Sequence, residues 1–232
     1  MPRFGAYREL MTSTLTSPPV SAILDRLYEQ AAQGGRPSGP RSAGPPAEVS
    51  PQAKADAAED RYMAIARDTG ILAYSLIRSA RPAVVVEFGM SYGISALFLA
   101  AALRDNALAD PAAAGHLYTT ELSAKKVSAA EKTFAEAQLA DLITILAGDA
   151  RDTLESVSGP IGFVLLDGWK DLYVPVLDLL EPKLAPGAMI LADNTSHAES
   201  ASYLDRVRNS GDYVGVGLPA KHDDTVELSC RL

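Results

Sequence analysis

The sequence predicts a doubly wound α/β fold, in which helices cover both faces of a mostly parallel, seven-stranded sheet. Two observations lead to this prediction. From residue 82 onward, short apolar runs alternate with longer segments of helical pattern, which is the order of a parallel sheet with crossover helices. The chain has 232 residues, 47% of them hydrophobic, which is enough for one such domain with a sizeable core.

The first third of the chain predicts helices and no strand. Ser17-Pro18-Pro19 marks the start of a helix that runs to about Gln33, because proline is favoured in the first helical turn. Residues 34–51 are half glycine and proline, which is typical of a flexible linker or a lid loop.

A second proline-led helix is expected after this tract. Ser50-Pro51 predicts a helix to about Asp68, and Gly70 separates it from a short helix over 71–79. We therefore expect a helical N-terminal cap (1–33), a linker or lid (34–51) and one further domain (52–232).

The rest of the chain supplies the sheet and its covering helices. Strands are predicted over 83–86, 116–120, 142–146, 161–166, 188–192, 213–218 and 225–230. Helices are predicted over 94–103, 123–137, 171–184 and 198–209.

Composition excludes several classes of protein. The net charge of −8 argues against nucleic acid or an anionic membrane as a partner. The longest uncharged run, 88–103, is too short and too polar to span a bilayer. A single cysteine, Cys230, excludes internal disulfides and CxxC metal sites. The first 19 residues lack the apolar core of a signal peptide, so we expect a cytoplasmic protein.

Polar residues follow most of the predicted parallel strands, and ligands bind beyond the carboxyl ends of such strands. These strand ends are Glu87 to Gly93, Glu121, Gly148 to Ala150, Asp167 and Asp193-Asn194. One acidic residue at a strand end can simply cap the next helix. Capping does not explain an Asp-Asn pair, so the set predicts a binding site.

The loop after the first strand contains Gly89 and Gly93. The dinucleotide fingerprint would need glycine at position 91, where the chain has Ser91. The loop therefore suits a nucleoside without a pyrophosphate. Glu121 ends the next strand, where a carboxylate can accept both hydroxyls of a ribose, and Asp149 adds a third polar strand end.

The same loop also matches G-x-S-x-G, the nucleophile elbow of α/β-hydrolases. Ser91 could be followed in a triad by Asp167 or Asp193, and then by His197 or His222. A hydrolase has several strands and an oxyanion-hole loop before its elbow. Residues 1–82 predict no strand and contain no such loop, which argues against this alternative.

Asp167, Asp193 and Asn194 together predict a metal site. Two carboxylates and an amide carbonyl at neighbouring strand ends form a set of hard oxygen ligands that suits Mg²⁺. Lys170 follows Asp167 by three residues and would lie beside the ion. A nearby cation lowers the pKa of a lysine, so Lys170 is a candidate general base.

These segments resemble the class I S-adenosylmethionine-dependent O-methyltransferases, and most of all their metal-dependent catechol O-methyltransferase group. The resemblance covers residues 63–232 and rests on four segments: Glu87-Phe-Gly89-Met-Ser91-Tyr-Gly93-Ile-Ser95, Thr120-Glu121, Asp167-Gly-Trp-Lys170-Asp171 and Ala-Asp193-Asn194.

The resemblance implies a Rossmann-like methyltransferase fold, S-adenosylmethionine and Mg²⁺ as cofactors, and a small hydroxylated aromatic acceptor. It implies that the methionine end of the cofactor lies at Glu87, Gly89 and Gly93, with Ser95 on its carboxylate. Glu121 would bind the ribose, and Asp149 and Ala150 would flank the adenine. Ser91, Leu122 and Asp167 complete the cofactor pocket. Asp167, Asp193 and Asn194 would bind Mg²⁺, with Lys170 as general base. The family also suggests a homodimer.

The chain departs from the family pattern at two points. Gly168 stands where the family often has His or Ala, which we expect to leave room near the adenine. The acidic residue that positions the second acceptor hydroxyl has only loose candidates in Glu199, Asp223 and Asp224. A metal-independent methyltransferase on another acceptor, and a binding module without catalysis, therefore remain alternatives.

Overall fold

The computed structural model describes residues 13–33, 50–220 and 224–232. The strands are β1 (Val84–Phe88), β2 (His116–Glu121), β3 (Ile143–Ala147), β4 (Ile161–Leu166), β5 (Leu184–Ala192), β6 (Tyr213–Pro219) and β7 (Thr225–Arg231). They form one sheet in the order β3-β2-β1-β4-β5-β7-β6. Strands β1 to β5 pair in parallel, whereas β7 pairs antiparallel with both β5 and β6. The predicted fold class is confirmed.

The helices of the described residues are α1 (Val20–Gln33), α2 (Pro51–Ala57), α3 (Arg67–Ala80), α4 (Ile94–Ala109), α5 (Ala124–Glu136), α6 (Ala150–Thr153), α7 (Tyr173–Leu180) and α8 (Ala201–Asn209). Short 3₁₀ turns extend several of them. None of these helices combines the length and the apolar character needed to cross a lipid bilayer.

The sheet separates two hydrophobic cores, because neighbouring side chains of a strand point to opposite faces. Val85 belongs to the first core, under α1, α3, α4 and α5, whereas Val86 belongs to the second, under α6, α7 and α8. Helix α4 is apolar over most of its surface, since α1 and α3 cover the side that faces away from the sheet. The central strands β1 and β4 are therefore buried on both faces, and the carboxyl ends of the parallel strands β1 to β5 meet at one edge.

Asp105 of α4 fixes the start of the described chain. Its carboxylate accepts hydrogen bonds from the Ser13 hydroxyl at 3.0 Å, the Thr14 amide at 3.0 Å and the Tyr74 hydroxyl at 2.6 Å. These bonds satisfy a largely buried carboxylate and hold the N-terminal segment against α3 and α4.

The prediction of one helix over 50–68 is wrong. Helix α2 ends at Ala57, and the chain continues without regular structure because Tyr62 stacks on Tyr92, with ring centroids 4.0 Å apart. We refer to residues 50–63 as the strap. Gly70 does not separate two helices but lies within α3. A Cβ atom there would be 2.7 Å from the Phe98 ring, so glycine allows α3 to approach α4. Most of the predicted linker, residues 34–49, lies outside the described residues.

Candidate functional site

A cavity of about 690 Å³ opens at the carboxyl ends of the parallel strands. The strand ends are held in one layer by backbone hydrogen bonds. The Asp167 amide donates to the Phe88 carbonyl, and the Asp193 amide donates to the Leu166 carbonyl, both at 2.9 Å. The strap covers part of this cavity, to which it contributes Lys54, Ala58 and Arg61 among others.

The two loop glycines are required by close packing as well as by backbone conformation. Gly89 has φ +99° and Gly93 has φ +86°, which L side chains rarely adopt. A Cβ atom at Gly89 would lie 2.6 Å from the backbone of Gly168, and one at Gly93 would lie 2.7 Å from the Phe134 ring. Gly89 lines the cavity, whereas Gly93 lies behind it at the start of α4.

Glu121 links this loop to the end of β2. Its Oε1 accepts hydrogen bonds from the Leu122 and Ser123 amides at 2.8 Å, and its Oε2 accepts one from the Ser91 amide at 2.9 Å. Three backbone donors thus fix the carboxylate at the cavity wall. Because Oε2 accepts a single hydrogen bond, it retains acceptor capacity that a ligand hydroxyl could use.

Glu87 is fully buried at the end of β1. The Thr119 hydroxyl donates to its Oε2, while its Oε1 has no hydrogen-bond partner among the described residues. Burial raises the pKa of the Glu87 carboxyl to about 7. A buried acceptor without a donor fits a ligand ammonium group.

The hydroxyl of Ser91 is also buried and unpartnered within the described part of the chain. A hydrolytic serine needs a histidine base within hydrogen-bond reach. His197 lies instead near Asp224, with its Nε2 3.9 Å from Oδ2, and His222 lies outside the described residues. The geometry therefore gives the hydrolase alternative no support.

Asp149 caps helix α6, and its carboxylate forms an ion pair with Arg151. The Arg151 guanidinium donates to its two carboxylate oxygens at 3.0 and 2.6 Å, and this pair lowers the pKa of Asp149. Asp149 and the adjacent Ala150 line the cavity beyond Glu121.

Asp167 and Asp193 form a buried acidic pair at the opposite end of the cavity. Burial raises the pKa of both carboxyls, the Lys170 charge opposes this effect, and the charge of Asp193 raises the pKa of Asp167 further. Lys170 places its Nζ 3.4 Å from Asp167 Oδ1 and 2.9 Å from the Gly168 carbonyl. Lys170 is therefore the cation that partly neutralises the pair.

Asn194 lines the cavity next to this pair. Its Nδ2 donates to Asp224 Oδ2 at 2.9 Å, which leaves its carbonyl oxygen for another partner. Asp224 also accepts hydrogen bonds from the Ser196 hydroxyl at 2.5 Å and the Thr225 amide at 2.8 Å, so the amide is held in one orientation. No set of three or more His, Cys, Asp or Glu side chains within the described ranges could hold a metal. The candidate ligands are two carboxylates and an amide, an all-oxygen set that fits Mg²⁺.

Comparison with known proteins finds sequence similarity to methyltransferases. A family model described as a methyltransferase domain matches residues 86–195. Catechol O-methyltransferase of Sus scrofa is 29% identical over 160 residues, covering 66% of this chain and 82% of that protein. The Mus musculus protein of the same name is 30% identical over 146 residues, covering 60% of this chain and 52% of that one. The chain thus spans most of the first relative but about half of the second.

Solved structures agree in fold. The O-methyltransferase from Bacillus cereus, in complex with S-adenosylhomocysteine (SAH), superposes with a TM-score of 0.69 at 17% identity, covering 94% of this chain and 95% of that one. The O-methyltransferase TomG from Streptomyces achromogenes, in complex with S-adenosylmethionine, gives 0.66 at 22% identity, covering 78% and 87%. These likenesses support a class I S-adenosylmethionine-dependent O-methyltransferase.

The methyltransferase cavity collects most, but not all, of the residues predicted from the sequence. It is lined by Gly89, Ser91, Glu121, Leu122, Asp149, Ala150, Asp167, Lys170 and Asn194. Four others are buried and are not among its lining residues: Glu87, Gly93, Ser95 and Asp193. Met63, at the end of the strap, also lines the cavity, and the nearby Ile65 is buried in the first core. Glu199 lines the cavity, Asp224 holds Asn194, and Asp223 is outside the described residues.

Gly168 lines the cavity and is closely packed, and the expectation that it leaves room near the adenine stays a prediction. A Cβ atom at position 168 would lie 2.4 Å from the Phe88 ring, so the space beside this glycine is already filled by a side chain of β1. Gly168 is required by packing between β1 and β4.

Sequence analysis missed the positive side chains of the cavity, Lys54, Arg61 and Lys126. One signal was present. Ser123 caps helix α5, and Lys125 and Lys126 lie in its first turn, where the helix dipole favours acidic residues. Two lysines in that place indicate a role other than helix stability.

Proposed function

We propose that this enzyme transfers the methyl group of S-adenosylmethionine to one hydroxyl of a small catechol-like acceptor, with Mg²⁺ bound by Asp167, Asp193 and Asn194. One observation carries the proposal. A buried acidic pair, an oriented amide and Lys170 meet at one end of the cavity whose other end has the loop and the fixed carboxylate of Glu121.

Each residue of the cofactor end has a physical role in this proposal. Glu121 holds the ribose through its free acceptor capacity. Glu87 accepts from the ammonium group through its unpartnered Oε1. Asp149 and Ala150 flank the adenine. S-adenosylmethionine supplies an electrophilic methyl group next to the acceptor.

At the other end, the chain's own groups prepare the acceptor. The Asp167 and Asp193 carboxylates are costly to bury together, and a divalent cation would offset this cost. When bound, Mg²⁺ would lower the pKa of an acceptor hydroxyl and fix its orientation. Lys170, whose Nζ lies 3.4 Å from Asp167 Oδ1, would take the hydroxyl proton. Burial of this end of the cavity excludes water from the reaction.

Chelation and one matched pair of variants test the metal role. We expect EDTA to abolish methylation of catechol and Mg²⁺ to restore it. Asp193→Asn should lose metal-dependent activity but keep SAH binding, whereas Asp205→Asn, an exposed position on α8, should behave as wild type. Full activity after complete chelation would favour the metal-independent methyltransferase.

The remaining expectations are also proposals. The N-terminal segment 1–33, of which the structure describes residues 13–33, caps the methyltransferase domain 52–232, and the enzyme works as a cytoplasmic homodimer. The single free cysteine, Cys230, is consistent with a reducing compartment. Size-exclusion chromatography with light scattering tests the dimer, for which a mass of one chain would be the contradicting result.

A further inference from the structure

Two positive side chains line the cavity without an ion pair to any of the described residues. Arg61 of the strap and Lys126 of α5 both line the cavity. Within the described ranges, neither side chain forms an ion pair or a hydrogen bond. Their neighbours differ, because Lys54 pairs with Asp171 at 2.8 Å and Lys125 pairs with Asp60.

Lys126 is the more unusual of the two. Its residue is 1% exposed, and its Nζ lies 5.7 Å from the ring centroid of Tyr92. Burial lowers its pKa, and the charge of Arg61 lowers it further. The negative charge that acts on it is that of Glu121, whose two oxygens already accept three backbone hydrogen bonds. A buried cation without an ion pair costs free energy unless a ligand supplies the opposite charge.

We propose that Lys126 and Arg61 bind a carboxylate of a ligand in this cavity. The inference rests on the proposed function, which brings two such ligands here: the amino-acid end of the cofactor, and an acidic substituent on the acceptor. The position favours the cofactor, because Lys126 lies between Tyr92 of the glycine loop and Glu121. The family resemblance also gives this carboxylate a hydrogen bond from Ser95, which is a buried residue.

Isothermal titration with two nucleosides tests the cofactor as the source. SAH carries the carboxylate, whereas 5′-methylthioadenosine lacks the whole amino-acid end. We expect Lys126→Gln and Arg61→Gln each to weaken SAH binding about tenfold or more and to leave methylthioadenosine binding unchanged. Lys132→Gln, an exposed position on the same helix, is the matched control, and Lys126→Arg should keep most of the affinity.

Steady-state kinetics test the acceptor as the source. If SAH binding is unchanged, the same variants should raise KM for 3,4-dihydroxybenzoate about tenfold or more while leaving KM for catechol unchanged. The proposal is overturned if neither carboxylate-bearing ligand is affected, or if methylthioadenosine weakens as much as SAH. Thermal melts show whether each variant is folded. If Lys126→Gln is unfolded, Arg61→Gln, which lies on the exposed strap, is the second test. The SAH titrations are carried out without metal or acceptor. They can therefore be interpreted even if the magnesium proposal fails.

Discussion

Replacing Gly168 by alanine would show what the glycine after Asp167 does. Gly168 has no positive φ, so alanine changes the occupied space and not the backbone requirement. The added Cβ would lie 2.4 Å from Cε1 and 2.5 Å from Cζ of Phe88. Phe88 cannot move freely, because it is buried in the second core with its ring 6.3 Å from that of Tyr173.

The size of the effect follows from this overlap. Overpacking of this kind costs about 1–3 kcal/mol, so we expect Gly168→Ala to lower the free energy of unfolding by about 2 kcal/mol. Phe88→Leu alone removes part of a buried ring and should cost about 1 kcal/mol. It also frees the space that the new methyl group needs, so the double variant should be more stable than the sum of the single effects by about 1 kcal/mol.

Urea denaturation of the four proteins measures this coupling, and SAH titration shows whether binding changes with it. If Gly168 instead leaves space for the adenine, the alanine variant should unfold like wild type and bind SAH more weakly. In that case Phe88→Leu would not restore binding. Additive free energies with unchanged stability of Gly168→Ala would refute the packing argument.

Three further predictions concern other sites. Asp105→Ala removes the acceptor of several hydrogen bonds and should lower the free energy of unfolding by about 3 kcal/mol, with faster hydrogen exchange at residues 13–16; protection equal to wild type would contradict this. Burial raises the pKa of Glu87 from 4.5 to about 7, so wild type loses stability as pH rises through this interval. Glu87→Gln cannot ionise at this position. Its free energy of unfolding, measured by urea denaturation, should therefore rise relative to that of wild type by up to about 3 kcal/mol between pH 5 and pH 8. A difference in stability that does not change with pH would argue against the pKa shift. Asp224→Asn releases the amide of Asn194 and should weaken Mn²⁺ binding, measured by electron paramagnetic resonance, about 10–100-fold without changing SAH affinity.

The sheet could be predicted because burial on both faces leaves a continuous apolar signature. Val84 to Val86 and 161–166 show it without interruption. The strap could not be predicted, since its path depends on contacts with distant residues. Tyr62 stacks on Tyr92, and the Gly70 that suggests a helix break instead fits against Phe98.

The site divides in the same way. Polar residues at strand ends could be assigned to one cavity because parallel strands bring their carboxyl ends together. How deeply each of them is buried could not be read from the sequence: Glu87 and Asp193 are buried, whereas Asp167 lines the cavity. The partner of each group also depends on the fold, as the contacts of Asp149 with Arg151 and of Asn194 with Asp224 show.

The strap has a consequence for how fast product can escape. It is fastened to both walls of the cavity, by Lys54 to Asp171 on one side and by Lys125 to Asp60 on the other, and the Tyr92 hydroxyl donates to the Glu59 carbonyl at 2.7 Å. We expect a spent nucleoside to leave only after one fastening opens. Exposed ion pairs weaken as salt screens them, whereas the methyl-transfer step takes place in a buried setting. Turnover should therefore rise with ionic strength when product release is the slow step. In that case the opening of the strap would set the turnover rate.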